Sequence, residues 1–363
     1  MTTSWTDNAL AENLVLGLFL LLPVLSGGLL ALFARHLRRR PGPPGWRRLL
    51  LGNLLALLAL LALGLAAGEI YFRFCCDATD ALGCTKLNQR WYKRHWRTNH
   101  DRYRDNIDYA LKIKPGQRRI SFVGDSFTAG AGIKDVADRF ANRLRRAHPE
   151  WEIHLLAQPG YDTGDELDEV ERCLGRGYQL DQVVLVYCLN DVADMFPEWA
   201  EAVARIQAEA ARSGWFCRNS YLVNTLYYRI TTPRNRDMQS YFEYIREGYR
   251  GSHWEQQQQR LKAFRDLVES HGGRLAVVTF PFFQALGPHY EYKFMHDELN
   301  PCWRALKVPH LDLLTIYRDL PPGQLMVNHF DSHPNEAAHA LAAEAIGRFL
   351  QDLFAVVPDR RAN

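Results

Sequence analysis

Apolar and polar positions divide this chain of 363 residues into two parts that its mean hydropathy of -0.29 conceals. From Leu14 to Ala34, and again from Leu49 to Ala67, no residue is charged. Each stretch approaches the roughly 20 residues that a helix needs to cross a bilayer. Residues 1–70 are therefore expected to hold two transmembrane helices, at about 14–34 and 49–67. A cleaved secretory signal suits the first stretch poorly, because Met1 to Asn13 contains Asp7 and Glu12 and no Lys or Arg. Farther along, short apolar runs at Arg119–Val123, Glu152–Ala157, Gln182–Tyr187, Arg274–Phe280 and His310–Leu314 read as strands. Between and after them, helical spacing marks Asp135–His148, Asp165–Leu174, Gln256–Ser270, His296–Leu306 and Asn335–Phe354. This alternation predicts an α/β domain over residues 118–356, a doubly wound parallel sheet with helices on both faces.

Two segments stand outside the alternation. Residues 71–117 are rich in Arg, Trp, Tyr and Asn without a clear period, and are expected to form a juxtamembrane connector. Residues at about 192–252 carry helical stretches at Pro197–Arg212 and Tyr221–Tyr249, expected as an insertion over the carboxyl edge of the sheet, where α/β ligand sites lie.

Charge sets the orientation. The loop between the apolar stretches contains Arg35, Arg38, Arg39, Arg40, Arg47 and Arg48 around the turn-forming run Pro41-Gly42-Pro43-Pro44-Gly45. Short basic loops stay in the cytoplasm. Both chain ends would then lie outside a cytoplasmic (inner) membrane, with everything after Ala67 periplasmic or extracellular and Tyr71, Phe72 and Phe74 in the outer interfacial belt. The net charge of +3 is small, and the basic residues gather near the apolar stretches, so nucleic acid is not expected as a partner. Seven cysteines leave an odd thiol; Cys75, Cys76 and Cys84 cluster where an oxidising compartment could pair two of them. Their spacing is not that of a metal site, and no metal is expected.

The candidate chemistry begins at Gly124-Asp125-Ser126, directly after the first strand of the α/β region and before a helix. A serine at the carboxyl end of a strand is exposed on a tight turn, close to helix-start amides that stabilise negative charge. Two further blocks, Ala157-Gln158-Pro159-Gly160-Tyr161 and Tyr187-Cys188-Leu189-Asn190-Asp191, follow later strands, and a third, Asp331-Ser332-His333-Pro334-Asn335, precedes the last helix. In kind and in order these four blocks resemble those of the SGNH/GDSL hydrolase superfamily, over roughly Arg119 to Leu353. The resemblance implies an SGNH-hydrolase-like, flavodoxin-like three-layer fold, with Ser126 as nucleophile, His333 as base and Asp331 as the acid. It also implies an oxyanion hole made by Ser126, Gly160 and Asn190. Two departures are visible: Phe330 occupies the position of the acid in the commoner DxxH spacing, and Cys188 stands where the third block usually has glycine. Upstream, Asn99 to Asp105 is similar to an N-x-x-G-x-R-D segment of membrane-tethered bacterial members, with Arg102 in place of the glycine.

These residues supply what ester cleavage requires: a nucleophile, a base, and donors where the carbonyl oxygen becomes negative. The expected activity is that of a serine esterase acting through an acyl-enzyme on an ester-bearing substrate, such as an O-acyl group on an envelope carbohydrate or a lipid, without a cofactor. An O-acyltransferase modifying an extracytoplasmic polysaccharide would use the same residues. A non-catalytic module would instead bind carbohydrate through aromatics such as Trp199, Trp215, Tyr221, Tyr227 and Tyr228.

Overall fold

The computed structural model describes residues 8–39 and 42–356. Asp7, Arg40 and Pro41, which entered the topology argument, lie outside the described residues. In chain order the elements are α1 (Ala9–Arg38), α2 (Trp46–Ile70), a π-helical turn (Tyr71–Cys75), α3 (Lys86–His95), β1 (Arg118–Gly124), α4 (Ser126–Ala129), α5 (Phe140–Ala147), β2 (Trp151–Ala157), α6 (Thr163–Gly175) and β3 (Gln182–Cys188). There follow α7 (Pro197–Arg212), α8 (Trp215–Asn219), α9 (Tyr221–Thr231), α10 (Arg236–Gly248), α11 (Gly251–Ser270), β4 (Arg274–Phe280), α12 (Lys293–Ala305), β5 (His310–Asp312), α13 (Leu314–Tyr317), β6 (Met326–Asn328), β7 (Asp331–Pro334) and α14 (Glu336–Val356). Among the described residues they divide into two compact units, one of residues 92–205 and 235–356, the other of residues 8–39, 42–91 and 206–234.

The first unit is a parallel five-stranded sheet in the order β2-β1-β3-β4-β5. The chain steps outward from β1 to β2 and then back across β1 to β3, so right-handed crossovers put α5 and α6 on opposite faces. The sheet is thus doubly wound, as the alternation predicts. α14 packs beside α5 and α11 beside α6. Both faces being covered, β3 is buried along its whole length, which is why Gln182–Cys188 reads as a continuous apolar run rather than an alternating one. Phe122, Val184, Leu261, Phe264 and Ile346 belong to one continuous core.

Two details of this unit differ from the sequence reading. The helix expected from Asp135 is split: a short 3-10 turn at Val136–Asp138 ends in extended backbone at Arg139, whose side chain is drawn into the core, and α5 starts only at Phe140. The chain before α14 also forms a second, two-stranded antiparallel sheet of β6 and β7, which the sequence pattern does not announce.

The second unit is built on α1 and α2, which pack antiparallel as a hairpin. Ala9–Arg38 and Trp46–Cys75 are each long and apolar enough to cross a membrane. Small residues, Ala11, Ala59, Ala62 and Ala66, are buried along the hairpin, whereas leucines such as Leu18, Leu32, Leu57 and Leu60 point outward. That arrangement suits lipid, which offers no hydrophobic gain for burying leucine and rewards close backbone approach instead. The connector includes the helix α3, which the sequence pattern missed, and α8 and α9 belong to this unit rather than to the sheet unit. All seven cysteines are free thiols, Cys75, Cys76 and Cys84 included.

Phe122 lies on β1, two residues before Ser126's turn begins, and meets Phe140 edge-on at 5.1 Å. Phe122→Ala is expected to cost about 3–5 kcal/mol, read as a lowered urea midpoint of the full chain in detergent.

Candidate active site

The turn that presents Ser126 follows from local constraints. A side chain at Gly124 would collide with Thr128 Oγ1 at 2.2 Å and with the Val186 carbonyl at 3.0 Å, so the strand must end in glycine. Asp125 then caps the short α4, its Oδ1 accepting the Phe127 N–H at 2.8 Å, and Ser126 becomes the first helical residue. Gly130 closes the turn at φ 74°, a conformation that L side chains rarely adopt. Gly132, at φ 84°, leaves room for Val327 of β6, which an added Cβ would meet at 2.4 Å. That close approach brings the small sheet onto the Ser126 turn.

β7 carries the remaining members. In a strand, residues two apart share a face, so Asp331 and His333 project together. His333 Nδ1 and its backbone N–H both meet Asp331 Oδ1, the latter at 3.2 Å, and Nε2 lies 2.8 Å from Ser126 Oγ. Asp331 is fully buried, whereas Ser126 and His333 are half-buried and reachable. The short Asp-x-His spacing therefore suits a strand, and Phe330 is exposed beside it. Asn335 secures the arrangement: its amide donates to the carbonyls of Gln324 and Met326, and its oxygen accepts the N–H groups of Ala337 and Ala338 at the start of α14.

The strand order β2-β1-β3 sets the turns after β2 and β3 on either side of the Ser126 turn. Gly160, in the first of these, is exposed at φ 84°, and among the described residues no acceptor meets its N–H. Asn190, in the second, is half-buried beside the Asp125 carboxylate. That turn is shaped by Asp191, whose Oδ2 accepts the Cys188 N–H at 2.8 Å and whose carbonyl accepts the Thr163 N–H. Cys188 is buried against β4, with burial and then the nearby Asp125 pushing its thiol well above the usual range, which leaves it inert.

Two sets of residues around the site have positions that the sequence reading did not foresee. One is a pair of buried arginines, Arg139 and the Arg104 of the Asn99–Asp105 segment, behind the Ser126 turn. Arg104 donates to the carbonyls of Gly130 and Ile133, and Arg139 to those of Ala129, at 3.2 Å, and Arg104, at 2.6 Å. Asp105 neutralises Arg139 and Arg145. The Asn99–Asp105 segment therefore holds the turn that presents Ser126. Its Arg102 takes φ 70°, the left-handed conformation that suits the glycine of the pattern it resembles.

The other set is acidic. Asp125, Asp162, Glu166 and Asp191 sit close enough to perturb one another. Burial, only partly offset by the Phe127 N–H, His333 and Asn190, raises Asp125 to about 6. Burial and a hydrogen bond shared with Asp194 raise Asp162 to about 8. Glu166, fully buried, is held well above the carboxylate range by burial and then by Asp125. Low-dielectric surroundings cannot carry four adjacent negative charges, so this cluster retains protons near neutral pH.

Comparisons with known proteins add little to this geometry. No family model matches the sequence, and no curated protein matches it. Several solved structures align with it at low identity. A psychrotrophic esterase EstA from Pseudoalteromonas sp. is 15% identical, covering 65% of this chain and 98% of its own, with a TM-score of 0.40. An extracellular lipase from Streptomyces rimosus is 15% identical over 64% of this chain and 98% of its own, with a TM-score of 0.41. A member of the lipolytic G-D-S-L family from Veillonella parvula is 11% identical over 65% and 98%, with a TM-score of 0.40. At such values the fold rests on the strand order and the site on its own distances.

The acidic cluster yields a pH dependence. A carboxyl raised from 3.8 to about 8 on folding stabilises the fold fully below its unfolded pKa, and that contribution is lost as pH rises through the folded value. The melting temperature should therefore fall between pH 5 and pH 8. Asp162→Asn, which retains a residue able to accept the Gly164 N–H at the start of α6, should flatten the fall; an unchanged slope would refute the assignment.

Proposed function

We propose that this protein is a membrane-anchored serine hydrolase of the SGNH/GDSL type that cleaves an ester outside the cytoplasmic membrane. The observation that carries the reading is the hydrogen-bonded line from Asp331 through His333 to Ser126, with Nε2 at 2.8 Å from Oγ. The imidazole is oriented as a general base must be, with one nitrogen on the hydroxyl and the other on a buried carboxylate. His333 takes the Ser126 proton as Oγ attacks the ester carbonyl; the carbonyl oxygen becomes negative between the N–H groups of Ser126 and Gly160 and the Asn190 amide. His333 then protonates the departing alcohol and activates water to release the acid. Asp331 holds Nδ1–H and stabilises the imidazolium. The orientation across the membrane is supported by the basic residues Arg35, Arg38, Arg39, Arg47 and Arg48 between the two apolar helices.

The carbohydrate-binding alternative gains no support. Trp199 packs against Tyr241 in a tilted pair, with ring centroids 4.3 Å apart, in the sheet unit, whereas Tyr228 is buried with Cys217 in the other.

Full-length protein in detergent, treated with a serine-directed fluorophosphonate and assayed on p-nitrophenyl acetate, tests the reading. Ser126→Ala is expected to abolish labelling and turnover, and Asn190→Ala to retain labelling while lowering turnover roughly 100-fold, the usual loss for one oxyanion donor. Full activity in Ser126→Ala would sink the proposal.

Asp331→Asn separates a triad from a dyad. The amide can donate to the imidazole and favour the wrong tautomer, so the acylation rate should drop by orders of magnitude, as much as about 10⁴-fold, at unchanged melting temperature. A loss below about tenfold, or roughly 1.4 kcal/mol, would mean that another group orients His333.

A further inference from the structure

The unit built on the hairpin contains more than two apolar helices. The second of them ends in Gly68 and Glu69, and Glu69 is completely buried. Its carboxylate accepts three hydrogen bonds from the start of α9: Ser220 Oγ at 2.6 Å, the Tyr221 N–H at 3.1 Å and the Leu222 N–H at 2.9 Å. Gly68 is the seat for Leu222, since a Cβ there would lie 3.1 Å from both Leu222 methyl carbons. Two more bonds secure the same end of the hairpin. The Lys86 N–H donates to Asn224 Oδ1 at 2.8 Å, and Lys86 Nζ pairs with Glu12 at 2.5 Å near the start of α1. α8 and α9 are thus fastened, by a buried, fully hydrogen-bonded side chain and a close backbone approach, to the end of the hairpin away from the basic loop.

Fastened there, they expose apolar side chains. Leu222, Leu226 and Ile230 form one stripe at intervals of four residues; the first is buried on Gly68, whereas Leu226 is 45% exposed and Ile230 53%. Trp215 and Phe216 on α8 are exposed as well, at 42% and 50%. Next to them, Tyr71 and Phe74 stand exposed on the π-helical turn. From Ser213 to Arg234 the segment contains Arg218, Arg229 and Arg234 and no Asp or Glu. An apolar stripe continuous with a lipid-facing hairpin, flanked by aromatics and cations and free of acidic residues, has the composition of a helix lying in a headgroup region.

We propose that α8 and α9 are a third membrane-contacting element, an interfacial helix pair that inserts Trp215, Phe216, Leu226 and Ile230 among acyl chains of the outer leaflet and sets its arginines against anionic lipid phosphates. This rests on the membrane-anchored reading and not on the hydrolytic one. The occupant is bilayer lipid because the stripe begins on the hairpin itself and because the only charge on the segment is positive.

The test uses the full chain in nanodiscs of phosphatidylethanolamine and phosphatidylglycerol, with photoreactive benzoylphenylalanine placed singly at positions 216, 226, 230, 60 and 243. Lipid adducts are expected at 216, 226 and 230 as at Leu60 in the hairpin, and not at Glu243, which is exposed in the sheet unit. Adducts at Leu60 alone would overturn the proposal while leaving the anchor intact, and absence at Leu60 would remove the anchor with it. Crosslinks from 226 and 230 to a second copy of the chain, or to another protein, in place of lipid would also overturn it. Glu69→Gln should reduce the adducts at 226 and 230 severalfold and leave those at Leu60 unchanged; equal labelling at all positions would show that Glu69 does not hold the pair in place.

Discussion

Ser126 and His333 are separated by 207 residues, and a hydrogen bond between them requires two sheets that share no strand to keep a fixed distance. The main sheet presents the hydroxyl, since Gly124 and the capping Asp125 leave Ser126 no position except the first turn of α4. The small sheet presents the imidazole on a strand of only four residues. Contact between them passes through Val327 seated on Gly132, and the anchoring of β6 and α14 by Asn335 keeps that contact in register. Arg104 and Arg139 grip the other side of the same turn by its carbonyls. The fixed distance between Ser126 and His333 is thus maintained by glycines and buried arginines outside the Ser126–His333–Asp331 line.

Much of this was legible in the sequence where the signal is local and strong. The run Gln182–Tyr187 could hardly be anything except a covered strand, and the Arg274–Phe280 strand matches its sequence range residue for residue. Ser126 and His333 announced themselves by motif and by their places at the ends of elements. The structure brings them together, and the short Asp331 to His333 spacing becomes intelligible once Asp331–Pro334 is seen to be a strand.

What stayed hidden is what depends on distant partners. β6 spans three residues, too few to show a period, and exists because β7 pairs with it. Arg139 looks like an ordinary surface residue of an amphipathic helix until Gly130 makes space for it. Glu166, which a helical pattern assigns to solvent, is buried, and burial first and its acidic neighbours second hold its carboxyl well above the usual range. Residues 206–234 read as part of an insertion over the sheet, because nothing in their own sequence names Glu69, far upstream, as the residue that receives the start of α9.

That last pairing bears on how such a protein can be inherited. A simple tether is interchangeable, because any apolar helix of adequate length would hold a domain at a bilayer. Here Gly68 fits Leu222 and Glu69 satisfies Ser220, Tyr221 and Leu222, two halves of one joint encoded about 150 positions apart. A recombination that exchanged the first seventy residues for a foreign anchor would strand three backbone and hydroxyl donors and uncover an apolar side chain in a distant part of the gene product. Hairpin and insertion are therefore two halves of one joint rather than interchangeable parts, and replacing either alone would break it.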